Sequence, residues 1–339
     1  MRTAARTRMD ATAARRVDLV SLLDPGTRTG YPREYLLSRI RGRRSKLIRN
    51  WRALAAEASP ADHLASPQYQ GFVRERTLDG MWRALLREHG WVRGQMDEAM
   101  RRVFAPYFLY AELRTVFIAL RSLAGENAQK AGEVLEASLL AADMQDALRS
   151  GDAASAVEGI EDILARVSPR FAGLAARYAA GGLRGVEQQL TAAFLQHVLT
   201  MPLHPVLRRF FVRLIDARNI LALFKSLRFD ERDPAAFLEG GTILSERLLE
   251  LAERDDPFAL LPLVRQATGI TVTEPDPTRL ETALYRGVTK DLRREGRDPL
   301  GTGLILEYLW RCSLEVTNLS LLFAGKDLAR EEIGAELVY

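Results

Sequence analysis

Along most of the chain, apolar side chains return every third or fourth residue, the spacing that gathers them on one face of an α-helix. The pattern runs through YLLSRIRGRRSKLI, MWRALLREHGWV, FLYAELRTVFIAL, VEQQLTAAFLQHVL, VLRRFFVRLIDARNILALF and LILEYLWRCSLEV. Breaks fall at Gly151-Asp152, Gly181-Gly182, Pro202 to Pro205, Gly240-Gly241, Asp256-Pro257, Pro275 to Pro277 and Gly301 to Gly303. Only GITVTEP, residues 269–275, looks strand-like, and it is too short to found a sheet. The pattern predicts an all-α chain from Tyr31 onward. Residues 1–30, rich in Arg, Ala and Thr, read as a short helix or a basic, disordered N-terminal arm; an organelle-targeting presequence is the weaker reading.

Three segments repeat one design: AELRTVFIALRSL from Ala111, IDARNILALFKSL from Ile215 and LEVTNLSLLFAGK from Leu314. The acids Glu112, Asp216 and Glu315 align. Three residues on stand Thr115, Asn219 and Asn318, and five further Leu120, Phe224 and Phe323. A second anchor precedes each copy, in LDGMWRAL, VEQQLTAA and LETALYRG, with its own acids Asp79, Glu187 and Glu281. Two anchors in the same order, about a hundred residues apart, predict three helical repeats over roughly 31–130, 131–240 and 241–339. Asn disfavours a helix interior by roughly half a kcal/mol against Ala, so Asn219 and Asn318 call for tertiary partners. Each is expected to tie its helix to a neighbouring backbone, with Asp216 or Glu315 one turn back on the same face.

Composition narrows this little. The chain has 339 residues, 47% hydrophobic and 27% charged, with a net charge of +4 and a pI near 9.3. That mild excess permits an anionic surface without demanding nucleic acid. Cys312 stands alone, so intrachain disulfides are excluded. The stretch nearest to a membrane span, residues 303–325, carries Glu307, Arg311 and Glu315 at i, i+4 and i+8. That ladder of ion pairs fits an amphipathic helix of a soluble protein, and makes any membrane association peripheral.

The search for catalytic chemistry is empty. His63, His89, His197 and His204 pair with no other His or Cys at a metal-ligand spacing. No nucleophile elbow, dinucleotide turn or zincin motif occurs, and Asp255-Asp256 before Pro257 reads as a loop. No cofactor and no small-molecule substrate are expected. Gly325-Lys326 lacks the earlier Gly and following Ser or Thr of a phosphate loop. It reads as a left-handed helix cap with a cation near the negative end of the dipole. The basic run 39–49 offers Arg39, Arg41, Arg43, Arg44 and Lys46. Two readings stay open: contact with anionic headgroups or an acidic partner, or the polar side of a helix whose Ile40, Leu47 and Ile48 point inward.

Four stretches together resemble a known family. They are YPREYLLSRIRGRRSKLI (31–48), LASPQYQGF (64–72), FFVRLIDARNILALFKSLRF, and EVTNLSLLFAGKDLAREEIGAELV at the C-terminus. The chain resembles the C-type central-stalk component of the bacterial and archaeal V/A-type rotary ATPases, the counterpart of the d-type component of the vacuolar proton pump, over about residues 31–339. Ser66 stands where the family has threonine, and Thr317 and Ser320 where it often has basic residues. The resemblance implies a funnel of three similar helical bundles about a pseudo-threefold axis. It implies a peripheral, non-enzymatic coupling role on the cytoplasmic face, with the central-stalk subunits and the membrane rotor ring as partners. The alternative is a free-standing all-α scaffold or adaptor that binds a partner helix, although a period near a hundred argues against a solenoid.

Overall fold

The computed structural model describes residues 18–26, 30–57, 72, 77–149, 151–229, 237–254, 256–325 and 330–339. Among them the fold is all-α. The helices are α1 (Arg33–Arg44), α2 (Trp51–Ala56), α3 (Leu78–Gln95), α4 (Glu98–Ala124), α5 (Ala128–Leu135), α6 (Ala142–Arg149), α7 (Ala153–Val167) and α8 (Leu174–Leu199). They continue as α9 (Pro205–Phe229), α10 (Ser245–Ala252), α11 (Leu261–Thr268), α12 (Pro277–Glu295), α13 (Thr302–Ala324) and α14 (Arg330–Glu336). The stretch 64–72 that contributes to the family resemblance lies outside the described residues except for Phe72, as do Lys326, His63 and Asp255.

Local chemistry sets the boundaries. Asp97, Asn127, Asp152 and Asp276 each accept a hydrogen bond from a backbone N–H in the first turn of the helix that follows. Those N–H groups have no partner inside their own helix, so a short side-chain acceptor there is favoured. Asp256 does the same for the 3-10 turn Pro257–Leu260. The Gly181-Gly182 break is a kink within α8, where Gly182 leaves the helical region at φ 61° and ψ −161°. Residues 269–275 form an unpaired loop, with Ile270 and Val272 packed on the core instead of in a ladder.

The long helices pack in a closed cycle. Helix α4 packs on α8, α9 on α12, and α13 on α3. Within this cycle α8 also meets α9, α12 meets α13, and α3 closes on α4 through His89 against Tyr107 and Phe108. The N-terminal helices join the C-terminal ones: α1 lies against α13 and α2 against α14. The core also reaches further toward the N-terminus than Tyr31, since Leu19, Leu22 and Leu23 are buried against α4 and its neighbours. One large apolar cluster fills most of the molecule, and a second unites the later half of α9 with α10, α11 and α12.

Helix α4 is the one described helix long and apolar enough to cross a membrane. It carries a buried Glu112 and an internal Pro106, and most of its apolar window is covered by other helices. It is the central core helix of this fold.

The Gly240-Gly241 turn returns the chain onto α9. Gly240 holds φ at +94°, and a Cβ there would sit 2.4 Å from Leu199 Cδ1. A Cβ on Gly241 would sit 2.4 Å from Asp216 Oδ1. Gly241→Ala is therefore expected to destabilise the protein by roughly 1–3 kcal/mol through overpacking, read as a lower midpoint in chemical denaturation.

Candidate functional site

The first two repeated acids each hold a loop downstream of their own helix. In the first copy, Glu112 accepts from Ser138 Oγ at 2.9 Å and Leu139 N at 2.7 Å. In the second, Asp216 accepts from Thr242 N at 2.7 Å, Ile243 N at 3.2 Å and Thr242 Oγ1 at 2.6 Å. Both acids bond residues 26 and 27 positions downstream. In the third copy Glu315 instead accepts from Ile48 N at 2.9 Å, a residue 267 positions away. The N-terminal segment thus gives the third copy the backbone donor that a downstream loop gives the other two.

The amides behave in parallel. Asn219 Nδ2 donates to Leu238 O and Asn219 Oδ1 accepts from Leu238 N, both at 2.8 Å, 19 residues downstream. Asn318 makes the same pair with Val338, at 2.7 and 3.0 Å and 20 residues downstream. Both amides are buried. Thr115 is buried at the equivalent place but is too short to clamp a backbone from both sides.

Sequence reasoning missed a third element of the repeat. Five residues before each acid stands an aromatic: Tyr107, Phe211 and Trp310. They meet through Phe210, with ring centroids 5.7 Å from Tyr107, 5.2 Å from Phe211 and 5.5 Å from Trp310. Trp310 Nε1 donates to Thr289 Oγ1 at 2.9 Å, so its polar edge is satisfied. A fixed aromatic offset in all three copies was the available signal.

The second-anchor acids of the later copies face the preceding copy. Arg121 donates twice to Glu187, at 2.7 and 2.6 Å, joining α4 to α8. Lys225, at the position equivalent to Arg121, lies near Glu281 of α12; burial pushes that carboxyl up and Lys225 draws it back. The third equivalent is Ala324, and Asp79 pairs with Lys130 at 3.0 Å instead.

The run 39–49 is largely engaged within the protein. Arg43 forms a two-pronged pair with Glu88, which also accepts from Tyr308 Oη at 2.6 Å. Trp91 lies 4.1 Å under the Arg43 guanidinium. Arg44 Nε is 2.9 Å from Glu307 Oε2, and its Nη1 donates to Gly296 O at 3.2 Å. Arg41 donates to Pro299 O, and Arg39 donates to Tyr35 Oη at 2.7 Å beside Trp91. Lys46 is exposed. Helix α1 is thus fastened by its own cations to α3, α13 and the loop before α13.

Two expectations at the C-terminal helix need correction. The Glu307–Arg311–Glu315 ladder keeps its first rung, with Arg311 3.6 Å from Glu307, but both carboxylates are buried and Glu315 serves Ile48 instead. The neighbouring helix α1 covers that face. Gly325 caps α13 with φ −84°, not in the left-handed region. Its N–H closes the last turn on Leu321 O at 2.8 Å, which a right-handed residue does without strain.

Burial shapes the titrations. It pushes the Glu112 carboxyl up, against the Leu139 N–H and the Thr115 and Ser138 hydroxyls. It pushes Glu315 up to about 7, against the Ile48 N–H and Arg311. It lowers His89 to about 4, so that imidazole stays neutral between Tyr107 and Phe108. No group of three metal-ligating side chains occurs among the described residues.

A cavity of about 630 Å³ opens between the long helices. Tyr110 of α4, Arg177 and Arg184 of α8, Arg218 and Lys225 of α9, and Tyr285 of α12 line it. Helices bearing all three copies of the repeated pattern contribute to its wall. Among the described residues, no carboxylate lines it.

The chain is thus all-α, with a buried acid in each of three repeated helices and a cavity walled by four of the long ones. The chain belongs to the family of the ATP synthase (C/AC39) subunit, whose model matches residues 36–336. It is thus a component of the multi-subunit V/A-type ATPases, complexes associated with membranes. No individual curated protein matches it.

The ties carry two testable consequences. Asn219→Ala leaves a buried N–H and a buried C=O of Leu238 unpaired, and is expected to cost roughly 2–4 kcal/mol in denaturant unfolding. Asn318→Ala should cost less, because Val338 lies in the irregular stretch after the short α14, where the backbone can shift toward water. For Glu315, the unfolded carboxyl ionises near 4.5 whereas the folded one keeps its proton to about 7. Folding therefore takes up a proton between those pH values; stability falls as pH rises through them and levels off above. Glu315→Gln keeps an acceptor for Ile48 N and should flatten that fall, seen by measuring thermal midpoints from acid to neutral pH.

Proposed function

We propose that this chain is the socket of its rotary ATPase, seated on the cytoplasmic side of the membrane rotor ring and receiving the foot of the central shaft. The observation that carries this reading is the cavity bounded by helices of all three copies inside a closed cycle. Three similar bundles arranged as a funnel about a pseudo-threefold axis account for the matched ties at Glu112, Asp216 and Glu315. Close-packed helices suit a coupling part because their interiors deform little under load. The subunit itself makes no bond; it transmits rotation, so that ATP turnover and proton or sodium transport drive one another.

Affinity purification of the tagged chain from solubilised membranes tests the assignment. The catalytic head, the shaft and the ring subunits are expected to co-purify. Recovery of head subunits without the ring would remove the socket reading. Complexes assembled without the chain should keep hydrolysing ATP while ion transport in vesicles is lost.

A further inference from the structure

The cavity wall carries a one-sided charge that the socket reading by itself does not require. Arg177, Arg184 and Lys225 are exposed, Arg218 is half-buried, and no described carboxylate lies among the lining residues. The chain as a whole is nearly balanced, with 48 basic and 44 acidic residues, so this is a local concentration. The nearest acids are committed elsewhere or sit to one side: Glu187 is held by Arg121, and Glu281 lies beside Lys225 on the neighbouring helix. Like charges within one concavity reinforce each other's field, and low-dielectric walls focus it.

The spacing of these cations selects among anionic occupants. They stand on two helices, α8 and α9, and the same wall carries the small residues Ala192, Ala217 and Ala222, which let a backbone come close. Arg218 donates to Gln188 O at 3.0 Å, which holds its guanidinium along the wall. A phosphate group wants several donors converging on one point. A row of cations interleaved with small and aliphatic residues fits a helical segment that presents carboxylates along one side.

Resting on the socket reading, we infer that the shaft enters this cavity with an acidic segment, whose carboxylates are held by Arg177, Arg184, Arg218 and Lys225. The seat is then polar and salt-sensitive rather than an apolar plug. Such contacts fix register and direction, and permit release.

The test is calorimetric binding of the purified full chain to the purified central-shaft subunits of the same complex, between about 50 and about 500 mM NaCl. Wild-type affinity should fall by at least about tenfold across that range. The double reversal Arg184→Glu with Lys225→Glu uses exposed positions and should weaken low-salt binding by at least about tenfold while far-UV circular dichroism shows the chain still folded. Reversals at Arg166 and Arg265, exposed and away from the cavity, should bind as wild type. Unchanged binding by the Arg184/Lys225 variant, or affinity indifferent to salt, would overturn the acidic seat and leave the socket standing. Absence of wild-type binding at every salt concentration would overturn the socket itself.

Discussion

The structure depends on a buried carboxylate that accepts main-chain N–H groups from a segment lying across its helix. Each such acid satisfies donors that the interior would otherwise strand, and each segment satisfies a charge or a proton that water can no longer reach. The dependence runs both ways, so neither partner can leave alone. At Asp216 the fit is close enough that the loop must carry Gly240 and Gly241 to approach at all. At Glu112 and Glu315 burial holds the proton more tightly than water does, against the N–H groups that each acid accepts. Three versions of one device thus differ in where the donor comes from while keeping the same role.

The residues that the chain advertises against propensity were the ones to be read from sequence. Asn219 and Asn318 break helix preference, and acids at matching positions break the apolar stripe, so each announces a partner. Helix periodicity and the Gly and Pro breaks likewise made the all-α class legible. What stayed hidden is what lies far apart along the chain. Nothing local in Glu315 indicates that its donor is Ile48, or in Arg43 and Arg44 that their acids are Glu88 and Glu307. Leu19, Leu22 and Leu23 sit in a short segment whose apolar spacing is drowned by the arginines before it. The cavity was equally out of reach, because its cations are ordinary helix-surface residues until four helices turn them inward.

Membership in the C/AC39 family and the internal chemistry point the same way. The buried acids and amides hold helices to loops, and His89 serves packing. The polar surface left over lies in the cavity and on the outer faces of the helices. Stiffness thus comes from inside, while exposed cations gather on a concave wall. Arg121 with Glu187 crosses from α4 to α8 beside that wall, so its rim is braced as well.

The seam where α1 meets α13 has a mechanical meaning. A polypeptide has two ends, and the cut between its first and last helices is a place to spread apart. Here the cut is overlapped: the first helix is laced to the last long one by Arg43, Arg44, Tyr308 and the Ile48 N–H. The two ends of the chain therefore form a riveted lap joint. Pulling either end away would have to break these pairs together, so the joint resists opening as a unit.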